Sequence, residues 1–165
     1  MTMINFKEWF SDSKRMFDNM VVANFMGFVI KETTVDQIRT ILNANGISFR
    51  ETISLFGKDE INIVFTYKSG NIDWNCQLTI KNNVLNFITL SNYSPDSYNT
   101  FKILCKELTE RYGSIYNVTS RQDKQEGTET LCFGDKTSWS RFTEVRYDSS
   151  PILGQKNVYI SYFNM

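Results

Sequence analysis

The chain has 165 residues, of which 41% are hydrophobic, and its 18 basic side chains balance 18 acidic ones. This length and composition exclude a disordered chain and predict one domain, residues 1–165, that needs no metal ion or disulfide bond for stability. Both signs of charge are spread evenly along the sequence, which argues against nucleic acid as a partner.

Histidine does not occur in the sequence. Its absence excludes nucleophiles activated by histidine and histidine general bases, and it removes the commonest ligand of transition metals. Any catalysis would have to use carboxylates, lysine, tyrosine or a lone cysteine. We therefore predict no cofactor, no metal site and no catalytic residue.

The three cysteines, Cys76, Cys105 and Cys132, are far apart and match no metal-binding spacing. We interpret them as small core residues in a reducing compartment. The N-terminal segment lacks the charged and apolar regions of a signal peptide, and no apolar run approaches the length of a membrane span. We expect a cytoplasmic protein that does not bind a membrane.

Residues 5–20 are predicted to form an amphipathic helix, because apolar side chains recur there at helical spacing. The apolar positions are Phe6, Trp9, Phe10, Met16, Phe17 and Met20. The polar side of this helix carries no excess of lysine or arginine, unlike helices that lie on membranes. Packing against the sheet is the favoured interpretation, and a homodimer formed through this helix is the alternative.

Residues 24–30 are predicted to form a short strand with a glycine kink, and a second helix follows at Val35–Ala44. Thr34 is the expected N-cap of this helix, and Asn45 with Gly46 is expected to end it. Four strands are predicted next, at residues 47–55, 60–67, 72–80 and 84–90. Short turns connect them, which indicates an antiparallel meander.

A third helix is predicted within residues 94–113, with Ser94 as its cap, Pro95 at its first position and Gly113 at its end. Four further strands are predicted, at residues 114–118, 128–133, 138–147 and 157–163, with longer connections between them. The predicted fold is α+β, because each helix precedes a run of strands. Two helix-plus-antiparallel-meander units, residues 23–92 and 93–165, would share a core, and residues 1–22 would add the N-terminal amphipathic helix.

Three segments carry a resemblance to known proteins: "FMGFVIKETTVDQIRTILNANGI", "FKILCKELTERYG" and "TSWSRFTEVRY". In this order they resemble a group of small Bacteroidota proteins, over roughly residues 25–163. The repeated layout is also similar to the β-lactamase-inhibitor-protein-like architecture, in which a curved sheet presents a concave binding face. The resemblance implies a binding protein and brings no catalytic residues with it.

The segment "SWSRFTEVRY" is the predicted binding surface. It contains Trp139, Arg141 and Tyr147, which are predicted to share one face of the strand, and Arg146, which is predicted on the other face. These residue types dominate the hot spots of protein–protein interfaces. The competing interpretation is an ordinary strand, in which Trp139 belongs to the core and the arginines are merely exposed.

The favoured function is a non-enzymatic protein-binding module, of the inhibitor or immunity type. One alternative is a small hydrolase that uses carboxylates, such as Glu107 and Glu110 or Asp59 and Glu60. Glycosidic chemistry needs two acids that converge from different elements, which a sequence does not reveal. The other alternative is a structural subunit of a homo-oligomer, assembled through residues 5–20.

Overall fold

The computed structural model describes residues 24–25, 27–55, 57–69, 72–134, 136, 141–150 and 155–164. The helix predicted at residues 5–20 lies outside these ranges, as does the homodimer contact assigned to it. Within them the chain forms these elements: β1 Asn24–Phe25, β2 Phe28–Val29, α1 Val35–Ala44, β3 Phe49–Ile53, β4 Glu60–Ser69, β5 Ile72–Lys81, β6 Val84–Tyr93, α2 Ser97–Tyr112, β7 Asn117–Asp123, β8 Thr128–Gly134, β9 Arg141–Ser150 and β10 Gln155–Asn164.

Eight of the described strands form one antiparallel sheet, in the order β3-β4-β5-β6-β10-β9-β8-β7. The prediction of an α+β protein with an antiparallel sheet is therefore confirmed. β6 and β10 meet at the centre, where Leu90 lies opposite Ile160, and β3 and β7 form the edges. Strands β1 and β2 form a separate small hairpin around Gly27, whose φ is +81°. This corrects the prediction of a single kinked strand at residues 24–30.

Helix α1 begins and ends at the residues that the sequence predicts. The hydroxyl of Thr34 accepts a hydrogen bond from the Gln37 backbone N–H at 3.4 Å, and the Gln37 side chain accepts one from the Thr34 N–H at 2.9 Å. This reciprocal pair satisfies two backbone donors at the helix start. The helix ends at Asn45, and Gly46 follows with a φ of +66°. Its buried side is formed by the side chains of Val35, Ile38 and Leu42.

Helix α2 begins at Ser97, later than predicted. The hydroxyl of Ser94 accepts a hydrogen bond from the Asp96 backbone N–H at 3.1 Å, so it is occupied in the turn that precedes the helix. Asp96 is the N-cap instead, and its side chain makes no capping hydrogen bond. The predicted end at Gly113 is confirmed.

The two described helices pack on the same face of the eight-stranded sheet. In α1, Arg39 bonds to Glu51, whose cross-strand partner is the buried Ile63. In α2, the Phe101 ring lies 6.0 Å from that of Tyr147. One face of the sheet carries a row of successive cross-strand partners: Ile63, Leu78, Ile88, Tyr162 and Thr143. Tyr147 lies on the same face, because it is four residues after Thr143 in β9. We call this side the helix face and the opposite side the distal face.

Strand β5 shows why the sheet has two different faces. Its side chains alternate, with Trp74, Cys76 and Leu78 buried on the helix face. Asn75 and Gln77 lie between them and are exposed on the distal face. Because successive side chains of a strand point to opposite sides, this alternation fixes the register of the whole sheet.

The connection between β7 and β8 is shorter than predicted. Strand β7 continues to Asp123, which pairs with Thr128, so only residues 124–127 form the turn. A carboxylate oxygen of Asp123 accepts hydrogen bonds from the backbone N–H groups of Gln125 and Glu126, and Gly127 closes the turn with a φ of +68°. Most residues of β7 are polar, so its sequence lacks the hydrophobic alternation that predicts a strand.

Candidate functional site

Strand β9 contains the predicted binding surface and directs its residues to both faces of the sheet. Thr143, Val145 and Tyr147 are buried on the helix face. Arg146 is half-buried on the distal face. Arg141 begins the strand, and Trp139 lies outside the described residues. The structure therefore does not bring Arg146 and Tyr147 together on one surface.

Tyr147 packs against the first turns of α2. It is only 9% exposed, and its ring lies 4.8 Å from the ring of Tyr98 and 6.0 Å from that of Phe101. Pairs of aromatic rings at these separations stabilise a core beyond the area that they bury. This position makes Tyr147 a packing residue of the α2 contact.

Arg146 lies between Tyr159 of β10 and Thr130 of β8 on the distal face. Its Nη2 atom is 3.0 Å from Oδ2 of Asp148, and this ion pair fixes one end of the guanidinium group. Its Nε atom is buried and has no hydrogen-bond acceptor among the described residues. Arg121 continues the same row, because it pairs with Thr130.

An aromatic strip crosses the distal face, and the Glu144–Ser161 pair separates it from Arg146. The Phe142 and Phe163 rings stack at 4.4 Å with an interplanar angle of 16°, and the Phe87 ring lies 4.8 Å from that of Phe163. All three side chains are half-buried. They come from β9, β10 and β6, which are distant in sequence, so no local pattern predicts that they meet. We call Phe87, Phe142 and Phe163 the phenylalanine strip.

Cys132 also points to the distal face, which corrects its assignment to the core. Its thiol is half-buried and donates a hydrogen bond to Glu144 Oε2 at 3.8 Å. Burial, together with the negative charge of Glu144, raises the pKa of the Cys132 thiol to about 11. The thiol is therefore protonated at neutral pH and is a poor nucleophile.

A cleft of about 310 Å³ opens on the helix face, at the end of the β7–β8 hairpin. Its main side chains are Tyr98, Gln122, Lys124, Glu129, Tyr147 and Lys156. Glu129 accepts hydrogen bonds at Oε1 from Gln122 Nε2 at 2.7 Å and from the Tyr98 hydroxyl at 3.3 Å. The nearby charge of Glu129 and burial raise the pKa of the Tyr98 hydroxyl. We call this site the Tyr98 cleft.

Among the described residues, no group of three or more Cys, Asp or Glu side chains is arranged to hold a metal ion. Neither α1 nor α2 is long and apolar enough to cross a membrane. Comparison of the chain with protein-family models, curated proteins and solved structures finds no match. The resemblance to small Bacteroidota proteins stays a prediction, and the function has to be argued from the residues themselves.

Proposed function

We propose that the chain is a non-enzymatic protein-binding module that holds its partner on the distal face of the sheet. A role as an inhibitor or immunity-type protein fits this mode of action. The observation that carries the proposal is the composition of the distal face, which carries both the phenylalanine strip and the Arg146–Tyr159 pair, with the Glu144–Ser161 pair between them. Aromatic residues and arginine supply most of the binding energy at protein–protein interfaces.

The charges of the distal face favour a protein as the partner. Strand register places five basic and five acidic side chains on this face: Arg50, Lys68, Lys81, Arg121 and Arg146, with Glu60, Asp73, Asp123, Glu144 and Asp148. A phosphate backbone or an anionic membrane selects a surface with an excess of positive charge. Interleaved charges instead match a protein surface that carries both signs around an apolar centre.

We also infer that the chain consists of two units, each a helix followed by four strands, which share the core. Two features support this inference. Helix α1 precedes β3 to β6 and helix α2 precedes β7 to β10, and each set of strands runs in chain order from one edge of the sheet to its centre. The central β6–β10 pair would then be the seam between the units.

Capture from a cell extract, followed by affinity measurement, tests the proposed binding face. The distal variant is Arg146→Ala/Tyr159→Ala, and the matched control is Lys106→Ala/Glu110→Ala, two exposed positions on α2. A partner identified with the wild-type chain is then titrated against each variant. We expect about tenfold weaker binding for the distal variant, or about 1.4 kcal/mol, and no change for the control.

Two results would contradict the proposal: no protein captured selectively by the wild-type chain, or equal affinities for the distal variant and the control. A third variant, Trp139→Ala/Arg141→Ala, removes the other two residues of the predicted surface. A loss of affinity in this variant would show that the start of β9 also contacts the partner.

The two alternative functions remain predictions. A homo-oligomer formed through residues 5–20 predicts that deleting residues 1–20 lowers the mass of the protein in solution. The hydrolase predicts turnover of sugar or nucleotide substrates that is lost when its carboxylates are replaced by amides.

A further inference from the structure

The Tyr98 cleft is separate from the proposed partner surface, because it opens on the helix face. Three connections hold its walls in place. The Ser97 hydroxyl at the start of α2 donates a hydrogen bond to the Lys156 carbonyl of β10 at 3.1 Å. The Ser149 N–H donates to the Gly127 carbonyl at 3.0 Å. The Tyr98 and Tyr147 rings form the aromatic wall.

Glu129 is the fixed anion of this cleft. Both hydrogen bonds described above, from Gln122 and Tyr98, reach its Oε1 atom, and both donors are neutral groups. Its Oε2 atom has no hydrogen-bond partner among the described residues, and no ion pair satisfies the carboxylate there. A half-buried carboxylate without a counter-ion is costly, and a bound cation would remove that cost.

Lys124 and Lys156 line the same cleft, and both are exposed at its rim. Neither lysine forms an ion pair within the described part of the chain. Asp123 also lines the cleft, but strand register directs its side chain to the distal face. The charged side chains that line the helix-face side of the cleft are therefore Glu129, Lys124 and Lys156, and the ammonium group of Lys102 lies 5.1 Å from the centroid of the Tyr98 ring.

We propose that the Tyr98 cleft binds a small ligand that carries both a cationic group and a carboxylate, as a basic amino acid does. The guanidinium or ammonium group contacts Glu129, and the carboxylate contacts Lys124 and Lys156. The volume of about 310 Å³ lies at the small end of ligand sites.

Two sources supply this chemistry: a free basic amino acid, or a peptide whose last residue is basic. Three amino-acid probes test the charges separately. L-arginine carries both groups, L-citrulline replaces the guanidinium with a neutral group of the same shape, and L-argininamide lacks the carboxylate. Binding is measured by chemical-shift titration of the backbone amides around Glu129 and Gly127. We expect L-arginine to bind about fivefold more tightly than either other probe.

Variants of the chain should remove one preference at a time. Glu129→Gln keeps an acceptor for Gln122 and Tyr98, and in this variant L-arginine and L-citrulline should bind equally. Lys124→Gln/Lys156→Gln should instead make L-arginine and L-argininamide equal. The control Lys106→Gln/Glu110→Gln, away from the cleft, should keep both preferences. A residue with a merely structural role would weaken all three probes alike.

The tripeptide Gly-Gly-Arg separates the two sources of the ligand. Binding as tight as that of L-arginine would indicate the end of a peptide, and absence of binding would indicate a free amino acid. The proposal is overturned if L-arginine does not bind at concentrations up to about 10 mM. It is also overturned if the three probes keep the same order of affinity in the Glu129 and lysine variants.

Discussion

Arg39 and Glu51 form a two-pronged ion pair that joins α1 to the edge strand β3. Arg39 Nε lies 2.6 Å from Glu51 Oε1, and Arg39 Nη2 lies 2.9 Å from Glu51 Oε2. Asp36, one turn earlier in α1, holds Arg39 Nη1 at 2.9 Å. The planar guanidinium group thus makes parallel bonds to one carboxylate and a third bond to another, which fixes its orientation.

We predict that Glu51→Gln destabilises the fold at neutral pH. The hydrogen bond from Arg39 lowers the pKa of Glu51 below its ordinary value of 4.5. A carboxylate with a lowered pKa stabilises the folded state above its unfolded pKa, and this contribution disappears as the pH falls through the folded pKa. The difference between wild type and variant in the free energy of unfolding by urea should therefore disappear in acid, below about pH 4.5.

Glu32→Gln is the matched control, because Glu32 is exposed and forms no ion pair among the described residues. It should behave like the wild type at every pH. High salt should also reduce the effect of Glu51→Gln, since exposed ion pairs are screened. A difference that persists unchanged in acid would contradict the assignment.

A second prediction compares two glycines. At Gly127 an added Cβ would lie 2.6 Å from the Ser149 carbonyl oxygen, whereas at Gly46 it would meet no atom within 4 Å. Both have a positive φ, +68° and +66°. Gly46→Ala should cost about 1 kcal/mol from backbone strain alone, and Gly127→Ala about 2–3 kcal/mol because the clash adds to it. Equal unfolding free energies for the two variants would contradict the predicted clash.

A third prediction concerns Tyr147, which belongs to the predicted binding surface but packs in the core. Tyr147→Ala should lower the free energy of unfolding by about 3–5 kcal/mol, because it leaves a cavity beside Phe101. Tyr147→Phe keeps the ring and should cost less than about 1 kcal/mol. The measurement is urea unfolding at neutral pH. A mild effect of Tyr147→Ala, similar to that of Tyr147→Phe, would show that the residue does not support α2.

A fourth prediction concerns alkaline pH. Burial raises the pKa of Cys105 to about 12, with a smaller contribution from the charge of Glu129. Burial also raises the pKa values of Cys76 and Tyr162. These groups keep their protons longer in the folded state, so the unfolded chain loses protons first. The stability that they supply is complete below the unfolded thiol pKa of about 9.0 and declines as the pH rises further.

Unfolding midpoints measured from neutral pH to about pH 10.5 should show this decline. In Cys105→Ala the unfolding midpoint should fall less steeply with pH, since one of the contributing thiols is gone. In the native protein at neutral pH, a thiol reagent should modify Cys76 far more slowly than in urea. Rapid labelling of Cys76 without denaturant would contradict the described burial.

Short-range patterns in the sequence account for much of the fold. The Thr34 cap, the end of α1 at Asn45 and the alternation of β5 all depend on neighbouring residues, and all were predictable. The start of α2 was not, because Ser94 and Asp96 are both good caps and only the turn geometry selects between them. Strand β7 was only partly predicted, since an edge strand needs few apolar residues.

The candidate sites were less predictable, because they depend on contacts across the sheet. The stack of Phe142 on Phe163 requires the β9–β10 register, and the phenylalanine strip requires the central pairing of β10 with β6. Glu129 meets Tyr98 only because α2 packs on β9 and β10, next to β8 in the sheet. Such contacts between distant segments leave no local pattern in the sequence.

The strand order also has a consequence for folding. Strand β10 is the last strand of the sheet in chain order, yet it lies at the centre and pairs with both β6 and β9. Until β10 pairs, β6 and β9 each have a long unpaired edge. Open edges of this kind pair readily with other chains. A chain in which β10 has not yet paired is therefore prone to aggregation, and the insertion of β10 between β6 and β9 closes both edges at once.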